Sequence, residues 1–350
     1  MSLYIIYGLG FIGILYERKF KIKSYYSLYA FLVILALFNS LGLSLISGKI
    51  YFGEIIEVTL PLILLLFGYF NTLSDRQFDK TISSYIFIVF CLGMFLIFYY
   101  GSGFEITQIY FFGSKNQVGP MIFGSAVVAL IKLADLIETQ YKKRSLFFYI
   151  LILFSCVVFG LVLRNRSGLL GFAIVAIIYL LNKFSKISYK RILYINIAMF
   201  GIIGLYFYGV FDGVIEIVEK ALFFNYDLTN IDSISAGRVR VYKWALEFLN
   251  SSPILGEVLI DSNIETPHNY LLNLWLKFGY FGMLPITILY FSLWIKVLKG
   301  ILKRRTNLGI YLMLLALIVS FLEPTYPFGP LSAQSLTWFC FGKYLSEYKE

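Results

Sequence analysis

The sequence predicts an all-α, polytopic bundle of transmembrane helices, and three observations carry the prediction. Of 350 residues, 59% are hydrophobic and only 14% charged, with a mean hydropathy of +0.78; a soluble domain carries about 25% charged residues. The apolar residues fall in runs of roughly 18 to 22, the length a helix needs to cross about 30 Å of hydrocarbon. The basic residues, finally, are segregated between alternate loops.

Eleven spans are expected, near 2–16, 25–47, 55–71, 82–100, 117–137, 146–163, 168–181, 192–211, 280–298, 309–322 and 331–346, and the short runs allow ten to twelve. The opening stretch MSLYIIYGLGFIGILYERKFKIK has no basic leader region and no A-x-A site, so it reads as an uncleaved first span. Loops on one side hold Arg18, Lys19, Lys21 and Lys23; Arg76 and Lys80; Lys142, Lys143 and Arg144; Lys183, Lys186, Lys190 and Arg191; and Lys299, Lys303, Arg304 and Arg305. The short loops opposite hold Lys49, Lys115, Arg164 and Arg166. Seventeen against four places the first set in the cytoplasm. The amino terminus is then outside and the carboxyl terminus inside, in a multi-pass protein of the cytoplasmic membrane. The net charge of +10 is spent on orientation: the bilayer is the expected partner, and nucleic acid is not.

Cys91, Cys156 and Cys340 fall mid-span without paired spacing and read as small core residues. Lys132 and Asp135 are expected to form a local pair near an inner helix end.

One connection is long. Residues 212–269 form an outer loop within the single membrane domain, and loops of this length are usually functional or disordered. Within it, SISAGRVRVYKWALEFLNSSP is patterned as a helix. Asp232, Ser233 or Ser235 can cap its start, Val241, Trp244, Ala245 and Phe248 form an apolar stripe, and Ser-Ser-Pro ends it. Such a helix lies on the bilayer surface or packs on the bundle top. The only histidine of the chain, His268, follows at the lip of the bundle.

At these residues the chain resembles a family. GR-x-x-x-Y at Gly237, Arg238 and Tyr242, then SSPILGE, then PHNYLLNLWLKFGYFG, is similar to the carboxyl-terminal signature of the O-antigen polymerase and O-antigen ligase superfamily. GSKNQVGPMIFGSAVVAL resembles the family's asparagine-containing entry to a mid-chain span. LVLRNRSGLLGFAIVAIIYLL resembles its Ser-Arg-(x)-Gly-Leu-Leu segment, with Arg166 and Ser167 in inverted order. Val258 stands where a second glycine usually follows the Pro-x-x-Gly turn. The resemblance covers roughly residues 115 to 300. It implies a GT-C-like fold and an inverting glycosyltransferase acting outside the cytoplasmic membrane on an undecaprenyl-pyrophosphate-linked oligosaccharide. The acceptor is another repeat unit for a polymerase, the favoured reading, or a lipid A core sugar for a ligase. The product is O-antigen or capsular polysaccharide, and a chain-length regulator is a possible partner of such an enzyme.

That chemistry needs a base for the attacking hydroxyl and cations for the pyrophosphate. An imidazole, with an ordinary pKa of about 6.5, suits the first task, so His268 is the candidate base; the competing reading is an interfacial helix-cap histidine. Arg238 is the candidate catalytic cation, with Arg164, Arg166 and Arg240 beside it, because a guanidinium grips phosphate oxygens in two-point contacts. Asn269, Tyr242 and Tyr270 are candidate substrate contacts, with Trp275 as a further sugar platform. No Asp-x-Asp occurs, and Glu216 with Glu219 reads as a solvated face, so no metal or other cofactor is expected. Two other classes compete. A lipid-oligosaccharide flippase would hold its charges near the midplane. An intramembrane serine protease would need Ser167 in reach of the histidine.

Overall fold

The computed structural model describes residues 24–47, 52–70, 73–100, 115–138, 143–184, 237–251, 266–303, 305–329 and 331–347, with isolated positions between 212 and 235. Every described element is a helix: α1 (Ser24–Ser47), α2 (Phe52–Tyr69), α3 (Asp75–Tyr100), α4 (Lys115–Glu138), α5 (Lys143–Val162), α6 (Arg166–Phe184), α7 (Arg238–Ser251), α8 (Tyr270–Gly282), α9 (Leu284–Leu302), α10 (Leu308–Val319) and α11 (Leu331–Glu347). The expected spans 2–16 and 192–211, the Pro-x-x-Gly turn and most of the loop acids lie outside the described residues.

α3, α4, α5, α6 and α9 are each long and apolar enough to cross a membrane, and α10 is a shorter apolar helix. Large apolar side chains also face outward, among them Phe98, Phe147, Phe154 and Leu181, each at least 68% exposed. In water such a surface would be a liability; in lipid it is solvated. The polar groups collect at the two ends.

At one end a chain of side-chain contacts closes on itself. Lys183 of α6 pairs with Asp135 of α4 at 2.7 Å, and Lys132 of α4 with Asp79 of α3 at 2.6 Å. Asp75 of α3 meets Lys343 of α11 at 3.2 Å, and Glu347 of α11 accepts from Asn307, the N-cap of α10, at 3.1 Å. Tyr311 of α10 then accepts from Asn182 of α6 at 2.7 Å. The local pair expected between Lys132 and Asp135 does not form. Each reaches a neighbouring helix instead, Lys132 to α3 and Asp135 to α6.

The core runs between α2, α4, α10 and α11. α2 and α11 approach so closely that a Cβ on Gly68 would strike the Phe339 carbonyl, and one on Gly342 the Leu65 carbonyl. Small residues allow such backbone contact where lipid supplies no hydrophobic drive. Trp338, Tyr29 and Phe328 fill the level above this crossing. Cys156 and Cys340 are buried as expected, whereas Cys91 faces outward from α3.

The expected span 280–298 is α9, and α8 precedes it as a separate helix. The two fold back on one another: Tyr270 stacks on Tyr290, and Trp275 Nε1 donates to Thr287 at 3.0 Å. The reversal falls at Gly279 (φ 69°, ψ 169°) and Met283. α7 runs parallel to α8, with Ala245 and Leu249 against Leu272 and Leu276. Ala245 and Leu249 are buried there while Val241, Trp244 and Phe248 are half-buried, so α7 packs its apolar stripe on α8.

Candidate active site

At the end opposite this ring of side-chain contacts, three helices begin side by side. α6 starts at Arg166, with Asn165 Oδ1 accepting from Gly168 N at 2.9 Å. α7 starts at Arg238; Ser235 Oγ accepts from Val239 N at 3.3 Å, and Asp232 Oδ1 from Arg240 N at 3.0 Å. α8 starts at Tyr270, with Asn269 Oδ1 accepting from Leu272 N at 3.0 Å. Each helix start carries about half a positive charge, so the place where they meet favours an anion.

A carboxylate occupies it. Glu323, in the loop after α10, is 3% exposed. Its Oε1 accepts from Ser167 Oγ at 2.6 Å and lies 3.5 Å from Arg238 Nη2. Its Oε2 faces His268 Nδ1 at 3.8 Å. The loop itself is pinned: Tyr270 N donates to Ser320 O at 2.9 Å, Asn273 Nδ2 to Pro324 O at 3.4 Å, and Trp338 Nε1 to Pro327 O at 2.9 Å.

The capping role that competes for His268 belongs to Asn269. The imidazole side chain is 43% exposed, yet its Nδ1 is enclosed and has no hydrogen-bond partner. The open part of the ring is thus the opposite edge, which carries Nε2. Tyr242 holds the backbone beneath, its hydroxyl donating to the His268 carbonyl, with the Phe321 carbonyl 3.3 Å from the same oxygen. Burial pushes the Tyr242 phenol up, Arg238 opposes the shift, and Glu323 adds to it. Burial, with Glu323 beside it, pushes Tyr326 well up too. Both phenols therefore remain neutral donors.

The other expected residues take distinct places. Arg164 ends α5 in the left-handed region (φ 51°), a position usually filled by glycine. Holding a side chain there costs on the order of 1 kcal/mol, and bonds from Arg164 N to Leu161 O and from Asn165 N to Gly160 O lock the turn. Arg166 opens α6, and Arg240 lies on the exposed face of α7. Tyr270 is 4% exposed, stacked on Tyr290 and tilted against Phe328; its ring belongs to the core rather than to an open surface. The entry to α4 also abuts the site: a Cβ on Gly119 would collide with the Asn165 amide and come within 3.3 Å of the Tyr326 hydroxyl.

Glu323 lies outside the set of site residues expected from the sequence. Its signal was a lone acid closing a 12-residue apolar helix, in FLEPTYPFGP, with no other charge between Asn307 and Lys343. An ionisable residue at such a place is a site candidate by default. Ser167 meets Glu323 directly, with the histidine on the carboxylate's other oxygen. That order differs from a serine–histidine–acid relay, in which the histidine stands between the two, so the arrangement does not support the protease reading.

No known family's sequence profile matches the chain, and no curated protein is detectably similar to it in sequence.

Proposed function

We propose that the protein is an inverting, metal-independent glycosyltransferase that polymerises undecaprenyl-pyrophosphate-linked oligosaccharide repeat units on the outer face of the cytoplasmic membrane. The observation that carries the reading is the meeting of Arg238 and His268 at the starts of three helices, around one buried acid. That gives a positive locus for a pyrophosphate and, next to it, an imidazole edge open for a proton.

The acceptor hydroxyl oxygen attacks the anomeric carbon from the face opposite the pyrophosphate. As the new C–O bond forms, the bond to the pyrophosphate oxygen breaks and its electron pair stays on the leaving group. The hydroxyl proton passes to His268 Nε2. Arg238 and the helix starts stabilise the charge on the departing undecaprenyl pyrophosphate. A second lipid-linked repeat unit as acceptor makes the enzyme a polymerase; a lipid A core sugar would make it a ligase with the same chemistry.

Arginine in place of a divalent ion has a direct consequence. Purified protein given lipid-linked repeat units should form polymer equally well in EDTA. Abolition by the chelator, reversed by magnesium or manganese, would put a carboxylate-bound ion in the role assigned here to Arg238.

A further inference from the structure

We propose that Glu323 is a positioning residue that changes partners when the donor binds, leaving Arg238 to the pyrophosphate and closing on His268 Nδ1. This rests on the reading of the site as a pyrophosphate-dependent transferase, and it adds a coupling that reading does not require: the base is oriented only when the leaving group is in place.

The geometry around the carboxylate is that of an unfinished exchange. At 3.8 Å, His268 Nδ1 is beyond hydrogen-bond reach of Oε2, yet this enclosed nitrogen has no other partner. A buried polar atom left unpaired beside an ionisable carboxyl is costly, and a shift of about 1 Å would pair them. Ser167 at 2.6 Å and Arg238 at 3.5 Å hold the carboxylate on the other side. Glu323 thus stands where three helix starts and a guanidinium favour an anion. A pyrophosphate carries more negative charge there and offers Arg238 the two-point contact that suits its fork. Like charge then drives Glu323 off Arg238 and toward His268 Nδ1, which lies 3.8 Å from its other oxygen and has no partner of its own. With Nδ1–H donating to Glu323, Nε2 is left unprotonated on the exposed edge of the ring, ready for the acceptor's proton. Tyr242 and Tyr326, the phenols around the carboxylate, stay protonated through burial and leave the acid in control of the ring.

Because the chain contains one histidine, labelling histidine with ¹⁵N gives the spectrum of this ring alone. The full chain in detergent is titrated with geranyl pyrophosphate, about two pH units above the ordinary imidazole value of ~6.5, and binding is followed by the probe's phosphorus resonances. Without the probe, the two ring nitrogens should report a mixture of tautomers. With saturating probe, wild type should convert to the Nδ1–H form. Glu323→Gln should bind the probe and leave the tautomer mixture unchanged, whereas simple proximity of the added anion would alter both proteins alike. Probe binding with no tautomer change in wild type overturns the exchange and leaves the transferase reading standing. Absence of probe binding overturns both. The wild-type comparison alone decides, should Glu323→Gln fold poorly.

Discussion

His268→Ala is expected to bind lipid-linked donor normally and to lose polymer formation by a factor of about 10²–10⁴, the usual contribution of a placed general base. The fold should survive the change for reasons visible in the local contacts. Asn269, and not His268, caps α8. Tyr242 holds the main-chain carbonyl of residue 268, which alanine retains. Removing the ring also relieves an enclosed nitrogen that has no hydrogen-bond partner. Loss of activity therefore cannot be ascribed to collapse of the helix start. Polymer at the wild-type level, with wild-type expression, would make the imidazole a bystander.

Arg238→Ala should fail differently, losing donor affinity as well as turnover. A charge-assisted hydrogen bond contributes roughly 1.5–3 kcal/mol, so affinity should fall about ten- to a hundredfold. One control, read out in two ways, separates this loss from instability. The side chain is 22% exposed while its partner Glu323 is buried, so truncation leaves an acid short of one cation, a known destabilising step. Arg238→Lys keeps that charge and should restore the thermal stability of the folded protein. It should recover donor binding only in part, because an ammonium cannot make the two-point contact. Full recovery by lysine would reduce the role of Arg238 to charge alone.

The helical class and most helix positions could be read from the sequence, because lipid makes apolar run length a strong signal. α4 falls on 115–138 where 117–137 was expected, and α11 on 331–347 where 331–346 was expected. Pairings between helices could not be read in this way. Lys132 and Asp135 sit at helical spacing, yet their partners, Asp79 and Lys183, come from α3 and α6. The same limit hid Glu323. Only the packing of α10 against α6 brings it to Ser167, 156 residues away in sequence. The α8–α9 reversal falls at Gly279, whose positive φ cannot be told in the sequence from the loose end of a helix. Local rules did identify the start of α7, where Asp232 and Ser235 cap it as expected. They also placed Arg238 and His268 on segments that the fold brings together.

The most direct measurement of the central claim puts purified protein into liposomes that carry undecaprenyl-pyrophosphate-linked repeat unit with a labelled sugar, and asks whether the label changes molecule or changes leaflet. A transferase predicts a ladder of longer glycans with release of undecaprenyl pyrophosphate, present in wild type and absent in His268→Ala. A label that stays on a single repeat unit and moves to the opposite leaflet would contradict the account and make the protein a transporter.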